Sequence, residues 1–164
     1  MATKIVASFV TPPFNYNNNV AVVPLGTRVN LDDGGVAIFC QAASDVSQYA
    51  AVAIGVGYTA VNATTTAITQ DTGTGRQLGW VQTSIASSNY CWVQVSGRPV
   101  AMLAANCADR VQLFTTATAG VLDDATVSTA EVLGVVAKTS ISNATAVTLM
   151  VPSAAYVANF AQQA

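Results

Sequence analysis

The stretch Gly79–Val95 reads GWVQTSIASSNYCWVQV and contains Trp-Val-Gln twice, with both tryptophans of the chain inside the two triplets. Successive side chains of an extended strand point to opposite faces. Leu78, Trp80 and Gln82 therefore share one face of the first copy, with Gly79, Val81 and Thr83 opposite. In the second copy Tyr90, Trp92, Gln94 and Ser96 share a face, with Cys91, Val93 and Val95 opposite. The intervening IASSN is a turn segment, so the two copies predict an antiparallel hairpin. No face of either strand carries a charge. A sugar-binding platform sets its aromatic among polar or charged groups, whereas each tryptophan here has Leu or Tyr and a single Gln beside it. Trp80, Tyr90 and Trp92 are accordingly expected as core or subunit-interface aromatics. Gln82 and Gln94 then need partners for their amides.

The pattern extends in both directions from this hairpin. VAIFCQA (36–42), AVAIGVGYTAVNATTTAI (51–68), VAMLAA (100–105), VQLFTTA (111–117), GVLDDATV (120–127), EVLGVVAKTS (131–140) and AVTLMVP (146–152) are short and rich in Val, Ile, Thr and small residues. They are separated by turn signals such as LDDGG (31–35), DTGTG (71–75) and GRP (97–99). Many short strands at such spacing predict an all-β chain, an antiparallel β-sandwich or small β-barrel with at most brief helices. The brief helices are expected at Ser44–Tyr49 and in the C-terminal AAYVANFAQQA. Residues 1–26, with TPPFNYNNN inside them, are expected as an extended N-terminal arm, 27–152 as the β-rich body and 153–164 as a C-terminal tail. Ile5, Phe9, Phe14 and Tyr16 are the arm's candidate contacts with a neighbouring chain.

Of the 164 residues only 9% are charged, six basic and eight acidic, against about 25% in an average domain. A compact domain of this mass exposes on the order of 7,600 Å², which fourteen charges cannot cover. Ser, Thr, Asn, Gln, Ala and Gly must do so, giving a surface that is wet but cheap to desolvate. Such a surface suits assembly. With a net charge of −2 and no basic cluster, neither nucleic acid nor an anionic membrane is an expected partner. The longest nearly apolar run, Tyr49–Val61, is too short to span a bilayer as a helix. The apolar stretch before Thr11 is too short for a signal-peptide core, so synthesis in a cytoplasm without export is expected. Cys40, Cys91 and Cys107 form no CxxC pair and sit among apolar or small neighbours, which predicts buried, reduced thiols.

The chain has no histidine, which removes imidazole acid–base chemistry, His-dependent nucleophiles and ordinary His-based metal centres. No enzyme activity, cofactor or metal is expected. The repeated LDD, at 31–33 and 122–124, cannot aim two adjacent carboxylates at one atom from an extended chain. Aspartates binding turn backbone are the expected role. GTGRQLG (73–79) has no helix after it to hold a phosphate.

GTRVNLDDGGVAIFCQAASDVSQYAAVAIG (26–55), the CWVQVSGRPV strand (91–100) and LFTTATAGVLDDA, EVLGVVAKT and AVTLMVP together resemble the capsid decoration, or cement, proteins of tailed bacteriophages. The resemblance spans about residues 26–152. It implies a small β-rich virion structural protein on the outer capsid surface, made in the host cytoplasm and clustering as a homotrimer. Its partners would be the major capsid protein and further copies of itself. A head-fibre or adhesin-type module that places Trp80 or Trp92 on a glycan is the alternative.

Overall fold

A computed structural model describes residues 14–69, 77–126, 131–143, 145–152 and 155–158. The first half carries β1 (Arg28–Asn30), β2 (Val36–Ala42), β3 (Ala51–Ile54), β4 (Thr59–Asn62), a short helix α1 (Thr65–Thr69), β5 (Gln77–Val81) and β6 (Tyr90–Gln94). The second carries β7 (Val100–Leu103), β8 (Leu113–Thr115), β9 (Leu122–Asp123), β10 (Glu131–Leu133), β11 (Val136–Ala137), β12 (Thr145–Met150) and β13 (Ala155–Ala158).

Five of these strands close into a barrel. β2 pairs with β4, β4 with β3, β3 with β5, β5 with β6, and β6 returns to β2. Every pairing in the ring is antiparallel except β2 with β4, and β7 with β9 is a second parallel pair elsewhere. A five-stranded barrel is narrow, so its lumen must be filled by small and branched side chains. Ile38, Cys40, Val52, Ala60, Val81, Cys91 and Val93 fill it, all buried. The opposite parity points outward, and there each strand needs a cover.

The covers differ around the barrel. Over β3 and β5, the outward Ala51, Ala53, Leu78 and Trp80 meet Leu103, Leu113, Leu122, Leu149 and Val157 in one continuous core. Those partners come from a second sheet in which β13, β10, β8, β9, β7, β12 and β11 lie side by side. Over β2 and β6, the outward Ala37, Phe39 and Trp92 are covered by Leu31 and by Phe14, Tyr16, Val23 and Val29. The molecule is thus a barrel with a sheet packed on one flank and the N-terminal segment on another.

Gly79 marks the place where the two layers part. One edge of β5 is shared, with Trp80 and Val81 pairing β6 while Gln77 and Leu78 pair β13. A Cβ on Gly79 would lie 2.4 Å from Val93 Cγ1 and 2.9 Å from the Gln94 carbonyl oxygen. Gly79→Ala is expected to cost about 1–3 kcal/mol through overpacking, read as a lower denaturation midpoint. An unchanged midpoint would mean that β6 can lift away from β5 freely.

The LDDGG turn docks the β1–β2 hairpin onto the turn after β6. Asp33 Oδ1 accepts the Gly35 N–H at 2.8 Å, and Oδ2 accepts the Arg98 N–H at 2.9 Å and a Gln94 side-chain N–H at 3.3 Å. Gln94 also donates to the Ser96 carbonyl at 3.1 Å. Gln82 donates to the Val100 carbonyl at 3.2 Å and accepts the Val100 N–H at 3.4 Å. The side-chain amides of both Trp-Val-Gln copies therefore find partners within the chain.

Three local expectations are corrected. Ser44–Tyr49 is not helical: Val46 exchanges backbone hydrogen bonds of 2.8 Å with Ile85 in both directions, and its side chain is drawn into the barrel. The helix lies instead at Thr65–Thr69, within a threonine run expected as strand, where Thr64 Oγ1 caps the Ala67 N–H at 3.0 Å. A capping hydroxyl at a helix start outweighs the β preference of threonine there. At the C-terminus, Ala155–Ala158 is a strand between β10 and β5 rather than a helix. Its Ala155 and Val157 are fully buried, and the slot between two existing edges rewards pairing over helix formation. Of the expected 153–164 tail, the described residues 155–158 thus pair within the sheet.

Candidate interaction surface

The aromatic residues singled out in the sequence separate into two environments. Trp80 is completely buried in the inter-sheet core, and its indole N–H has no hydrogen-bond partner. Trp92 is 6% exposed and belongs to an aromatic cluster centred on Phe39. Phe39 stacks on Tyr90 with centroids 5.8 Å apart and meets Trp92 at 5.1 Å and Tyr16 at 5.9 Å in tilted geometry. Tyr90 is half-buried. Neither tryptophan presents a ring face on which a sugar could stack.

Of the candidate arm contacts, Ile5 and Phe9 lie outside the described residues. Phe14 and Tyr16 are half-buried against the chain's own Phe39–Trp92 cluster. The segment from 14 to 26 is fixed to the barrel by short-range and long-range bonds. Tyr16 donates its hydroxyl to the Val20 carbonyl, and Asn18 bridges to Tyr90, whose N–H reaches the Asn18 carbonyl at 2.7 Å. Asn17 Oδ1 accepts the Ala86 N–H at 3.2 Å and an Asn89 side-chain N–H at 2.7 Å. Gly26 donates to the Phe39 carbonyl at 2.9 Å.

Because one side of this segment is used inward, its other apolar side chains face solvent. Val20 and Val22 are 60% and 59% exposed, and Leu25 is also exposed. The Tyr58 ring lies against Gly26, where any Cβ would come within 2.3 Å of it. Tyr58 and the fully exposed Val56 sit in the turn between β3 and β4. Val20, Val22 and Leu25 are thus the exposed apolar side chains of the segment, and Tyr58, itself exposed, lies against Gly26 at its end. No charged side chain occurs between residues 14 and 27. VAVVPL (20–25) is apolar in the sequence, but which of its residues turn outward depends on what the barrel beneath them takes.

No protein-family model and no curated protein matches this chain. Chemistry must therefore be judged on the groups themselves. Among the described residues, one cluster of metal-ligating types brings its atoms together: Cys107, Asp123 and Asp124, with one ligand atom of each within 4.8 Å of the others. Its carboxylates already serve the backbone. Asp124 Oδ2 accepts the Ala108 N–H at 2.9 Å, and Asp123 Oδ1 accepts the Asp124 N–H at 2.8 Å. Burial, aided by the two carboxylates, pushes the Cys107 thiol up to about 11, so it is a protonated, weakly nucleophilic group. The second LDD thus ties a loop, as the first one does.

Proposed function

We propose that this chain is a non-enzymatic virion structural protein, a cement that binds the outside of an expanded phage head and bridges neighbouring major capsid subunits, as a homotrimer. The observation that carries the reading is the set of exposed, uncharged apolar side chains Val20, Val22 and Leu25 on a segment hydrogen-bonded to a closed barrel, with exposed Tyr58 packed against Gly26 at its end. Solvent-exposed apolar side chains grouped on a rigid frame favour protein contact. An interface of about 1,600 Å² is ordinary for stable association, and several modest contacts on one lattice reinforce each other. The resemblance of residues 26–152 to phage cement proteins points the same way. The glycan-binding alternative loses support, because Trp80 and Trp92 are both covered.

The test is the copy number of this chain relative to the major shell protein in particles purified from its source. A ratio near one to one is expected, with binding that survives high salt because few charges take part. Val20→Asp with Val22→Asp should lower that occupancy while leaving the melting temperature of the free protein unchanged. A ratio far below one would assign the chain to a fibre or vertex, and its absence from particles would overturn the proposal.

A further inference from the structure

Cys40 and Cys91 stand directly opposite each other on β2 and β6. Both side chains point into the barrel lumen and are 0% and 1% exposed. The pairing type follows from their neighbours. Ala42 donates to the Asn89 carbonyl at 2.9 Å and Val95 donates to the Val36 carbonyl at 2.8 Å. Narrow pairs recur every two residues along an antiparallel ladder, so Cys40 and Cys91 form a hydrogen-bonded pair with Cα atoms about 5.5 Å apart. Disulfides span Cα separations of roughly 4.4–6.8 Å. At the wider, hydrogen-bonded spacing of about 5.5 Å, their Cβ atoms need to close by about 1–1.7 Å, a movement the seam can make while it is still open. Cys107 belongs to the other core, between the barrel and the second sheet, so only one of the three possible pairings is preformed.

The position matters as much as the spacing. β2 is the first strand of the barrel and β6 the last, and their five-residue ladder is the seam that closes the ring. We propose that Cys40 and Cys91 are a latent cross-strand disulfide, installed while the barrel is still open, that covalently locks this seam. The oxidant is a small-molecule disulfide such as oxidised glutathione. The Cys40 thiolate attacks one glutathione sulfur, forming a mixed disulfide and expelling a glutathione thiolate. The Cys91 thiolate then attacks the Cys40 sulfur of that mixed disulfide and expels the second glutathione thiolate. Both cysteine protons end on the two released glutathiones, and the protein pair loses the two electrons that glutathione disulfide gains. Once the seam has zipped, burial keeps both thiols protonated and out of reach, so the redox state present at closure is retained.

The experiment uses the full chain in two treatments with oxidised glutathione, one on the folded reduced protein and one during refolding from denaturant. The folded protein is expected to keep all three thiols. The refolded protein is expected to lose two hydrogens in mass, to yield one linked peptide pair containing residues 40 and 91, and to melt higher by roughly 5–10 °C, the loop-closure gain less the strain of the bridge. Cys107→Ala should give the same bridge; if that variant fails to fold, the wild-type peptide map decides alone. A link to Cys107, a persistent glutathione adduct at either cysteine, or a bridged form that melts below the reduced one would overturn the proposal. So would rapid bridging of the already folded protein.

Discussion

Trp80→Ala is expected to remove about 3–5 kcal/mol of stability, while Trp80→Phe should cost far less than the loss of ring volume suggests. The indole is wholly buried between β5 of the barrel and the second sheet, among Leu78, Leu103, Leu113, Leu122 and Leu149. Alanine leaves a large void in a place where two layers must hold each other, and neither can move in to fill it. The indole N–H, however, is buried without a partner, and an unsatisfied buried donor costs about 1–3 kcal/mol. Phenylalanine keeps most of the apolar contact and has no donor to desolvate. Its void and its relieved desolvation should therefore nearly cancel. Chemical denaturation of the two variants, followed by circular dichroism, separates these terms. If Phe proved as costly as Ala, then shape, not polarity, would rule the site, and the N–H would have to be satisfied in solution.

That same residue shows what sequence could and could not reveal. Parity along Gly79–Val95 is local, so the β5–β6 hairpin and the burial of both tryptophans follow from alternation and the IASSN turn. The register then sets Trp80 opposite Gln94. What covers that face is not local. Trp80 shares its core with residues from β7 to β13, and Trp92 shares its cluster with residues from Phe14 to Leu31; nothing in either Trp-Val-Gln triplet encodes the difference. The sequence left sandwich and small barrel both open, because ring closure needs β2 to pair in parallel with β4 and antiparallel with β6. The two LDD motifs divide along the same line. Asp33 bonds Gly35, two residues on, as a local turn would suggest. Asp124 reaches back to Ala108 across a strand and a loop. The strand at Ala155–Ala158 was illegible because four small and apolar residues fit a helix or a strand alike. The interaction surface was half legible: VAVVPL announced an apolar run, and only the packed barrel showed that Val23 is used while Val20 and Val22 are left over.

The second large effect is expected in alkali. Burial, reinforced for Cys40 by the nearby Cys91, raises the Cys40 thiol far above its ordinary 9.0, and burial pushes Cys91 up to about 12. Cys107 is raised to about 11. A thiol whose folded value exceeds its unfolded value binds its proton more tightly in the native state. Its contribution is complete below pH 9.0 and is lost as pH climbs from there toward the folded value. Each such thiol weakens folding by about 1.4 kcal/mol per pH unit within that window. Three together approach roughly 4 kcal/mol per unit, against a total stability of about 5–15 kcal/mol. The reduced chain should therefore unfold steeply above pH 9 while remaining indifferent to pH just below it. Denaturation midpoints at half-unit steps from pH 8 to pH 11 would show this, and a flat profile would mean that water reaches the lumen and lets the thiols ionise in place. Cys40→Ala with Cys91→Ala leaves Cys107 alone and should lose most of the slope, at the cost of a lower plateau from the emptied lumen. The bridged protein has the same single thiol to ionise but keeps its lumen filled, so it should combine the shallow slope with the high plateau. A seam that is locked by sulfur would also no longer open to alkali.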